Sequence, residues 1–301
     1  MPFRPCFHEP RFRREVLRGE LSHRMKPAAV AHIVGGPVPS RKGTSSILTS
    51  STVFAGPLAS APAEGPRVFQ RAGFAWDEQP AYLFDIDGTL LRSQDRIHYT
   101  SFFSSVKSVM GRDLVLDDVV VHGNTDPGIL RDAFRAAKLE DAEWHPVLED
   151  ILDVMRADVL AQRDSMQLRV MPGVAATLAH LRARGAALGV ATGNLEAIGW
   201  LKIEVAGLRD WFTFGGFSDR FAVRAEMIGH AAAIARAIVG ADASVCVVGD
   251  TPADVSAAQA NSLPVIAVAT GRYPFDELLS CNPDVCATTL DALLEQTRHG
   301  E

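Results

Sequence analysis

Asp85 and Asp87 stand two residues apart at the end of the apolar run in "AYLFDIDGTLL" (81–91). In an extended strand residues i and i+2 point the same way, so both carboxylates can face one crevice. Two acids that close repel each other and lose hydration on burial. A cation among them, or a phosphate reached through a cation, removes the conflict. Gly88 permits a sharp turn out of the strand, and Thr89 adds a hydroxyl and a backbone donor. Two further segments end in the same manner. "VATGN" sets Thr192, Gly193 and Asn194 between an apolar run and a helical stretch, where free N–H groups and the positive end of a helix dipole suit a phosphate. "VVGDTPADV" sets Asp250 at the end of another run, with Asp254 four residues on. Taken singly, each has a plainer account: turn chemistry for Asp-x-Asp, an N-cap for "TGN", and a cap by Thr251 or Asp250 ahead of Pro252. Three such strand ends in one chain are hard to assign to chance. Together they predict a hard cation with oxygen ligands, Mg²⁺ foremost, and phosphate chemistry beside it.

These residues converge only if the strands that carry them lie side by side. Strands are expected at 81–87, 186–193, 211–217, 244–250 and 263–270, separated by stretches whose apolar residues recur every three or four, as in amphipathic helices. Near-continuous apolar strands alternating with helices predict an α/β fold, a doubly wound parallel sheet covered on both faces. Residues 92–170 break the rhythm: "YTSFFSSVKSVMG", "DPGILRDAFRAAK" and "HPVLEDILDVMRADVLAQR" read as helical, and strand signal is sparse. They form an expected helical cap, inserted after the first strand and closing at "MPGV" (171–174). An insert there lies above the carboxyl edge of the sheet, where open α/β folds bind ligands. The expected organisation is a disordered or poorly ordered N-terminal extension (1–79), a catalytic core (80–91 and 171–301) and the cap (92–170).

"DIDGTLL", "VATGN" and "VVGDTPADV" resemble, in that order, the first, second and fourth motifs of the haloacid dehalogenase (HAD) superfamily, a likeness that covers residues 81 to about 290. The insert resembles the helical cap of the subclass that includes phosphoglycolate phosphatases, and "HGNTDPGIL" (122–130) looks like a segment common in such members. The resemblance implies a HAD-like Rossmannoid core and a phosphoric monoester hydrolase. It implies that Asp85 is the nucleophile forming an aspartyl-phosphate, and that Asp87 serves as general acid and then as base. For the acid step the Asp87 carboxyl is expected to be raised by neighbouring carboxylates and partial burial. Thr192 is implied to hold the phosphoryl group, with Gly193, Asn194, Gly88 and Thr89 around it. Mg²⁺ is implied on the Asp85 carboxylate, the Asp87 main-chain carbonyl and Asp250, with Asp254 in support. The basic residue of the third motif is assigned to Arg224, 26 residues before Asp250, with Arg220 and Lys202 as alternatives. In the cap, Asn124, Thr125 and Asp126, with His122 nearby, are expected to reach the substrate, although Thr125 or Asp126 also suits the cap of the following helix. The second Asp of the first motif favours phosphoryl transfer over dehalogenation, and neither Lys107 nor Lys138 lies in a segment suggesting a Schiff base. A small phosphorylated metabolite is the expected partner, 2-phosphoglycolate first. A sugar-phosphate mutase or a non-catalytic binding protein of the same fold are the alternatives.

A net charge of −6 argues against non-specific nucleic-acid binding. Residues 1–79 carry 11 Lys/Arg against 6 Asp/Glu, a balance of +5 that leaves −11 to the remainder. That first segment is rich in Pro, Gly, Ser and Arg. It reads as an extension, as an organellar targeting segment weakened by Glu9, Glu15 and Glu20, or as translation assigned upstream of a start such as Met25. No apolar run approaches the ~20 residues that span a bilayer. Four cysteines fit a reducing compartment better than a disulfide scaffold, with Cys246 in the core. The cytoplasm is the expected location.

Overall fold

The structure is a computed structural model that describes residues 65–300, with side chains through residue 298. The expectations for the extension before residue 65 lie outside the described residues. In chain order the first elements are β1 (Val68–Gln70), β2 (Ala81–Phe84) and β3 (Leu91–Ser93). The insert follows as α1 (Ile97–Met110), α2 (Asp126–Ala136), α3 (Asp141–Trp144) and α4 (Leu148–Ala161), and β4 (Leu168–Val170) leads back. Then come α5 (Val174–Ala183), β5 (Ala187–Ala191), α6 (Glu196–Val205), β6 (Phe214–Gly216) and α7 (Arg224–Val239). The chain ends with β7 (Val245–Gly249), α8 (Pro252–Ala260), β8 (Val265–Val268), α9 (Phe275–Ser280), β9 (Val285–Ala287) and α10 (Leu290–Gly300).

Alternate residues of β2 enter different cores, which is why the whole strand is apolar. Tyr82 and Phe84 join Val248 and Ile266 beneath α5 and α10; Ala81 and Leu83 join Val247 and Val265 beneath α7 and α8. The seven-stranded sheet runs β1-β9-β8-β7-β2-β5-β6, parallel throughout except for β1 against β9. This is the expected α/β architecture. Phe84 pairs with Val190 on one side and Val248 on the other, so the three strands finish level. From β2 the chain order runs outward in both directions, and open α/β sheets form their crevice at that reversal.

The expected strand at 211–217 is shorter than its apolar run: Arg209–Trp211 is a 3₁₀ turn and only Phe214–Gly216 pairs. A second departure lies in the segment expected to be extension. Residues 68–79 belong to the core. β1 pairs with β9 (Phe69 opposite Cys286), and Trp76 is buried, its indole N–H donating to Thr297 Oγ1 at 2.9 Å. Asp77 accepts from His180 Nε2 at 2.7 Å. A three-residue edge strand flanked by Arg, Gly and Pro has no periodicity to betray it, so the ordered core begins earlier than the sequence pattern suggests.

The insert leaves and re-enters through a two-stranded stem, Leu91 opposite Val170 and Ser93 opposite Leu168. Asp95 clasps its far end: one carboxylate oxygen accepts from Ile97 N–H at 3.0 Å, the other from Gln167 N–H at 2.6 Å. The apolar interior of the insert, with Phe102, Phe134, Trp144 and Met155, also takes in Leu195, Ile198 and Leu201 from the start of α6. The cap therefore rests on the helix that follows the second polar strand end. Among the described residues no helix is long and apolar enough to cross a membrane.

Candidate active site

Three strand ends meet below the insert. At the first, Asp85 continues the β2 ladder, its N–H donating to Val248 O at 2.9 Å, and the chain then folds back so that Leu90 and Leu91 N–H both reach Ile86 O. Gly88 makes the bend at φ +93°, and a Cβ there would lie 2.4 Å from Asp250 Oδ2. Both the positive φ and the space require glycine. Thr89 Oγ1 donates to Asp250 Oδ1 at 3.0 Å, and Thr270 Oγ1 holds Gly88 O at 2.6 Å. The third end is built by a capping box: Thr251 caps α8, accepting from Asp254 N–H at 3.2 Å, while Asp254 Oδ2 accepts from Thr251 N–H at 3.1 Å. This is the capping arrangement the sequence allowed, with Pro252 in the first turn.

Arg224, at the start of α7, is buried and joins these ends. Its guanidinium reaches Asp254 Oδ1 at 2.5 Å and Asp85 Oδ1 at 3.0 Å, and it also donates to Gly123 O in the insert at 3.2 Å. Arg220 is exposed and takes no part. One carboxylate oxygen from each of Asp85, Asp250 and Asp254 lies within 4.8 Å of the others. Both Asp254 oxygens are already engaged by Arg224 and Thr251, so Asp254 supports the group from behind. Burial raises the Asp85 carboxyl to about 6 against the opposing pull of Arg224, and the Asp254 and Asp87 carboxylates add to the rise. Burial likewise pushes Asp250 well above the ordinary range, with Asp85 and Asp254 contributing. Three buried acids share one guanidinium. That deficit of positive charge, with all-oxygen donors, fits a hard metal ion.

Asp87 lives in other surroundings. Its Oδ2 accepts from Lys202 Nζ at 2.6 Å and Asn194 Nδ2 at 2.8 Å, and among the described residues nothing donates to Oδ1. The expectation of a raised carboxyl is reversed: burial pushes it up, but the Lys202 ammonium and its hydrogen bond, with Asn194 behind, hold it below the ordinary value. The cause is Lys202, which Asp87 meets across 115 positions of sequence.

At the second strand end Asn194 Nδ2 also donates to Thr192 Oγ1 at 2.7 Å, fixing that hydroxyl beside Asp87. A Cβ on Gly193 would come 2.1 Å from Asn124 O, so the insert lies directly on this turn. Two N–H groups at the start of α6 are taken by carboxylates. Leu195 N–H goes to Asp126 Oδ2 at 2.9 Å and Glu196 N–H to Asp219 Oδ2 at 2.7 Å. In the insert, Thr125 is the N-cap of α2, accepting from Gly128 N–H at 3.1 Å. Asn124 binds Asp132 and Val120 O through Nδ2 and Thr125 N–H through Oδ1. The side-chain bonds of Asn124 and Thr125 thus stay within the insert and Asp126 Oδ2 ties it to the core, while Asn124 and Asp126 line the cavity. That cavity, about 280 Å³, is bounded below by Asp85, Asp87 and Thr192 and above by His98, Tyr99 and His122.

Sequence reasoning missed the part played by His98, and weighed Lys202 only for the place Arg224 holds. A signal for Lys202 exists. It falls on the stripe Leu195, Ile198, Lys202, Val205, where helical spacing asks for an apolar residue and a buried ammonium needs acceptors.

A family model described as a haloacid dehalogenase-like hydrolase matches residues 80–261. Over 226 residues the chain is 27% identical to the probable phosphatase IndB of Dickeya dadantii, spanning 72% of this chain and 92% of that protein. It is also 27% identical over 218 residues to a phosphoglycolate phosphatase of Agrobacterium fabrum, spanning 71% and 90%. Among solved structures, a predicted phosphatase from Clostridium acetobutylicum aligns with a TM-score of 0.50 at 20% identity, covering 68% of this chain and 92% of that one. At that identity the likeness bears on the fold.

Proposed function

This chain belongs to the haloacid dehalogenase-like hydrolase family as one of its phosphatases, and from that premise we propose that it hydrolyses a small phosphate monoester, 2-phosphoglycolate foremost, with Mg²⁺ as its metal. The observation that carries the reading is the convergence of Asp85, Thr192 and Asp250 beneath the insert, with Asp87 lining the same cavity and its Oδ1 without a donor among the described residues. The helical insert and the relatives named for phosphoglycolate support the substrate class.

Asp85 attacks phosphorus with the carboxylate oxygen not held by Arg224. The phosphorus–ester oxygen bond breaks, and an aspartyl-phosphate forms. Asp87 Oδ1 gives its proton to the departing alkoxide. It then takes a proton from the water that attacks the phosphorus of the aspartyl-phosphate, whose bond to Asp85 breaks to restore the carboxylate and release inorganic phosphate. The resting Asp87, lowered by Lys202, is prepared for the second step. A phosphate dianion brought beside it raises the carboxyl again, so Asp87 takes up the proton for the first step from solvent as the substrate binds. Thr192 Oγ1, oriented by Asn194, donates to an equatorial oxygen of the transferring group, and Arg224 fixes Asp85 and balances its charge. Asp85, Asp250 and the Asp87 carbonyl, with Asp254 behind, would hold a metal, which would supply positive charge at the phosphoryl oxygens, where most of the catalysis in such transfers lies.

The test is phosphate release from a panel of monoesters with and without Mg²⁺, beside Asp85→Asn. We expect metal-dependent turnover that falls by about 10⁴-fold or more in the variant, the scale of losing a nucleophile. Conversion of phosphorylated sugars to isomers without phosphate release would move the assignment to a mutase, and full activity in the variant would end the covalent mechanism.

A further inference from the structure

Lys202 is 2% exposed, yet the mechanism above gives it no step. An ammonium has three protons and no lone pair. All three have acceptors: Asp87 Oδ2 at 2.6 Å, Asn194 Oδ1 at 2.8 Å and His98 Nδ1 at 3.1 Å. Because Nδ1 accepts from Lys202, the N–H of the His98 ring is at Nε2, which donates to Asp126 Oδ2 at 3.1 Å. The same oxygen accepts from Leu195 N–H. Every proton in this chain thus has an acceptor. Asn194 is fixed likewise, its amide protons going to Asp87 and Thr192 and its oxygen to Lys202.

The chain crosses between two parts of the molecule. Lys202 and Asn194 come from the core side; His98 and Asp126 come from α1 and α2 of the insert. Its effect at the cavity is specific: Oδ2 of Asp87 is held by two donors, leaving Oδ1 to the substrate. A methionine at 202 would satisfy the apolar stripe without this cost, so packing alone does not explain the lysine.

We propose that Lys202 is a positioning residue for Asp87 in proton transfer, and that His98 is the hold of the cap on it, so that Oδ1 meets the ester oxygen when the cap is seated. The proposal deepens the reading of Asp87 given above and rests on it. Proton donation matters for an alkoxide leaving group and far less for p-nitrophenolate. The measurement is therefore the ratio of kcat on an alkyl phosphate (the faster of 2-phosphoglycolate and glycerol 3-phosphate) to kcat on p-nitrophenyl phosphate.

Asp87→Asn should lower this alkyl-to-aryl ratio by about 100-fold or more, the range of general acid catalysis, and Lys202→Met by about 10- to 100-fold. His98→Ala should lower it about threefold to tenfold, since Lys202 and Asn194 remain. Adding Lys202→Met to Asp87→Asn should lower the ratio no further. An unchanged ratio in both Lys202→Met and His98→Ala, while Asp87→Asn shifts it, overturns this inference alone. An unchanged ratio in Asp87→Asn overturns the role of Asp87 beneath it. If Lys202→Met does not fold, His98→Ala, on a side chain 16% exposed, carries the same decision.

Discussion

Asp85 and Asp87 leave the same strand end two residues apart and meet opposite environments. Asp85 faces Asp250 and Asp254 with a single guanidinium among them, and burial drives its carboxyl up to about 6. Asp87 faces an ammonium and an amide, and its carboxyl is held down. One cluster lacks positive charge, and the other has an ammonium and an amide on one carboxylate oxygen. In the proposed mechanism the pair divides nucleophile from proton carrier: residue type and strand are equal, and the partners brought in from distant segments differ. The acid cluster suits a cation. The Asp87 chain is complete without one.

The comparison can be broken most forcefully at Arg224. Arg224→Met leaves three buried acids without their protein cation, and removal of one partner from such a group costs about 3–5 kcal/mol. Urea unfolding of metal-free protein should show that loss, and saturating Mg²⁺ should shrink it. Turnover should fall while the alkyl-to-aryl ratio stays put, and a shifted ratio would mean that the two surroundings act as one. Gly88→Ala comes next. Its Cβ must displace the Asp250 carboxylate at a positive φ, so we expect metal affinity, read by titration calorimetry, to drop about tenfold or more, with about 1–2 kcal/mol of stability lost.

A gentler probe is pH. A carboxyl raised in the folded state binds more protons there than in the unfolded chain, so stability falls as pH rises between the two values. For Asp85 that window runs from the ordinary 3.8 to about 6. Chelated protein followed by thermal unfolding should lose stability across it, Asp85→Asn should flatten part of the loss, and Mg²⁺ should stabilise more at pH 7.5 than at pH 5. Asp87 acts in the opposite sense, because a lowered carboxyl adds stability above its unfolded value that disappears as pH falls. An Asp87→Asn protein should therefore lose stability at neutral pH relative to the parent, by less than Arg224→Met.

The parallel sheet was legible because β2, β5 and β7 are short apolar runs ending in Asp or Thr, a pattern fixed by burial on both faces. The helical insert was legible from its spacing. β1 was not, since three residues at a sheet edge carry too little pattern, and its pairing with β9 joins opposite ends of the described chain. The raised carboxyl expected for Asp87 failed for a related reason. Its neighbours in sequence are acidic, whereas its neighbours in space are Lys202 and Asn194, brought there by α6. The destination of Asp126 likewise depends on how the insert lies on the core, which no local window contains.

The stem formed by β3 and β4 gives the molecule a modular seam. Entry and exit of the insert lie side by side, clasped by the Asp95 carboxylate, so the core meets everything between them as one long loop with closed ends. On the proposed function, exchange of such a loop would change which esters are admitted while the acids stay on their strand ends. The exchange carries conditions, since Gly123 O and Asp126 Oδ2 of the insert also serve Arg224 and Leu195 N–H of the core. A replacement must bring its own acceptor to the place of His98, or Lys202 is left with a buried proton and nothing to receive it.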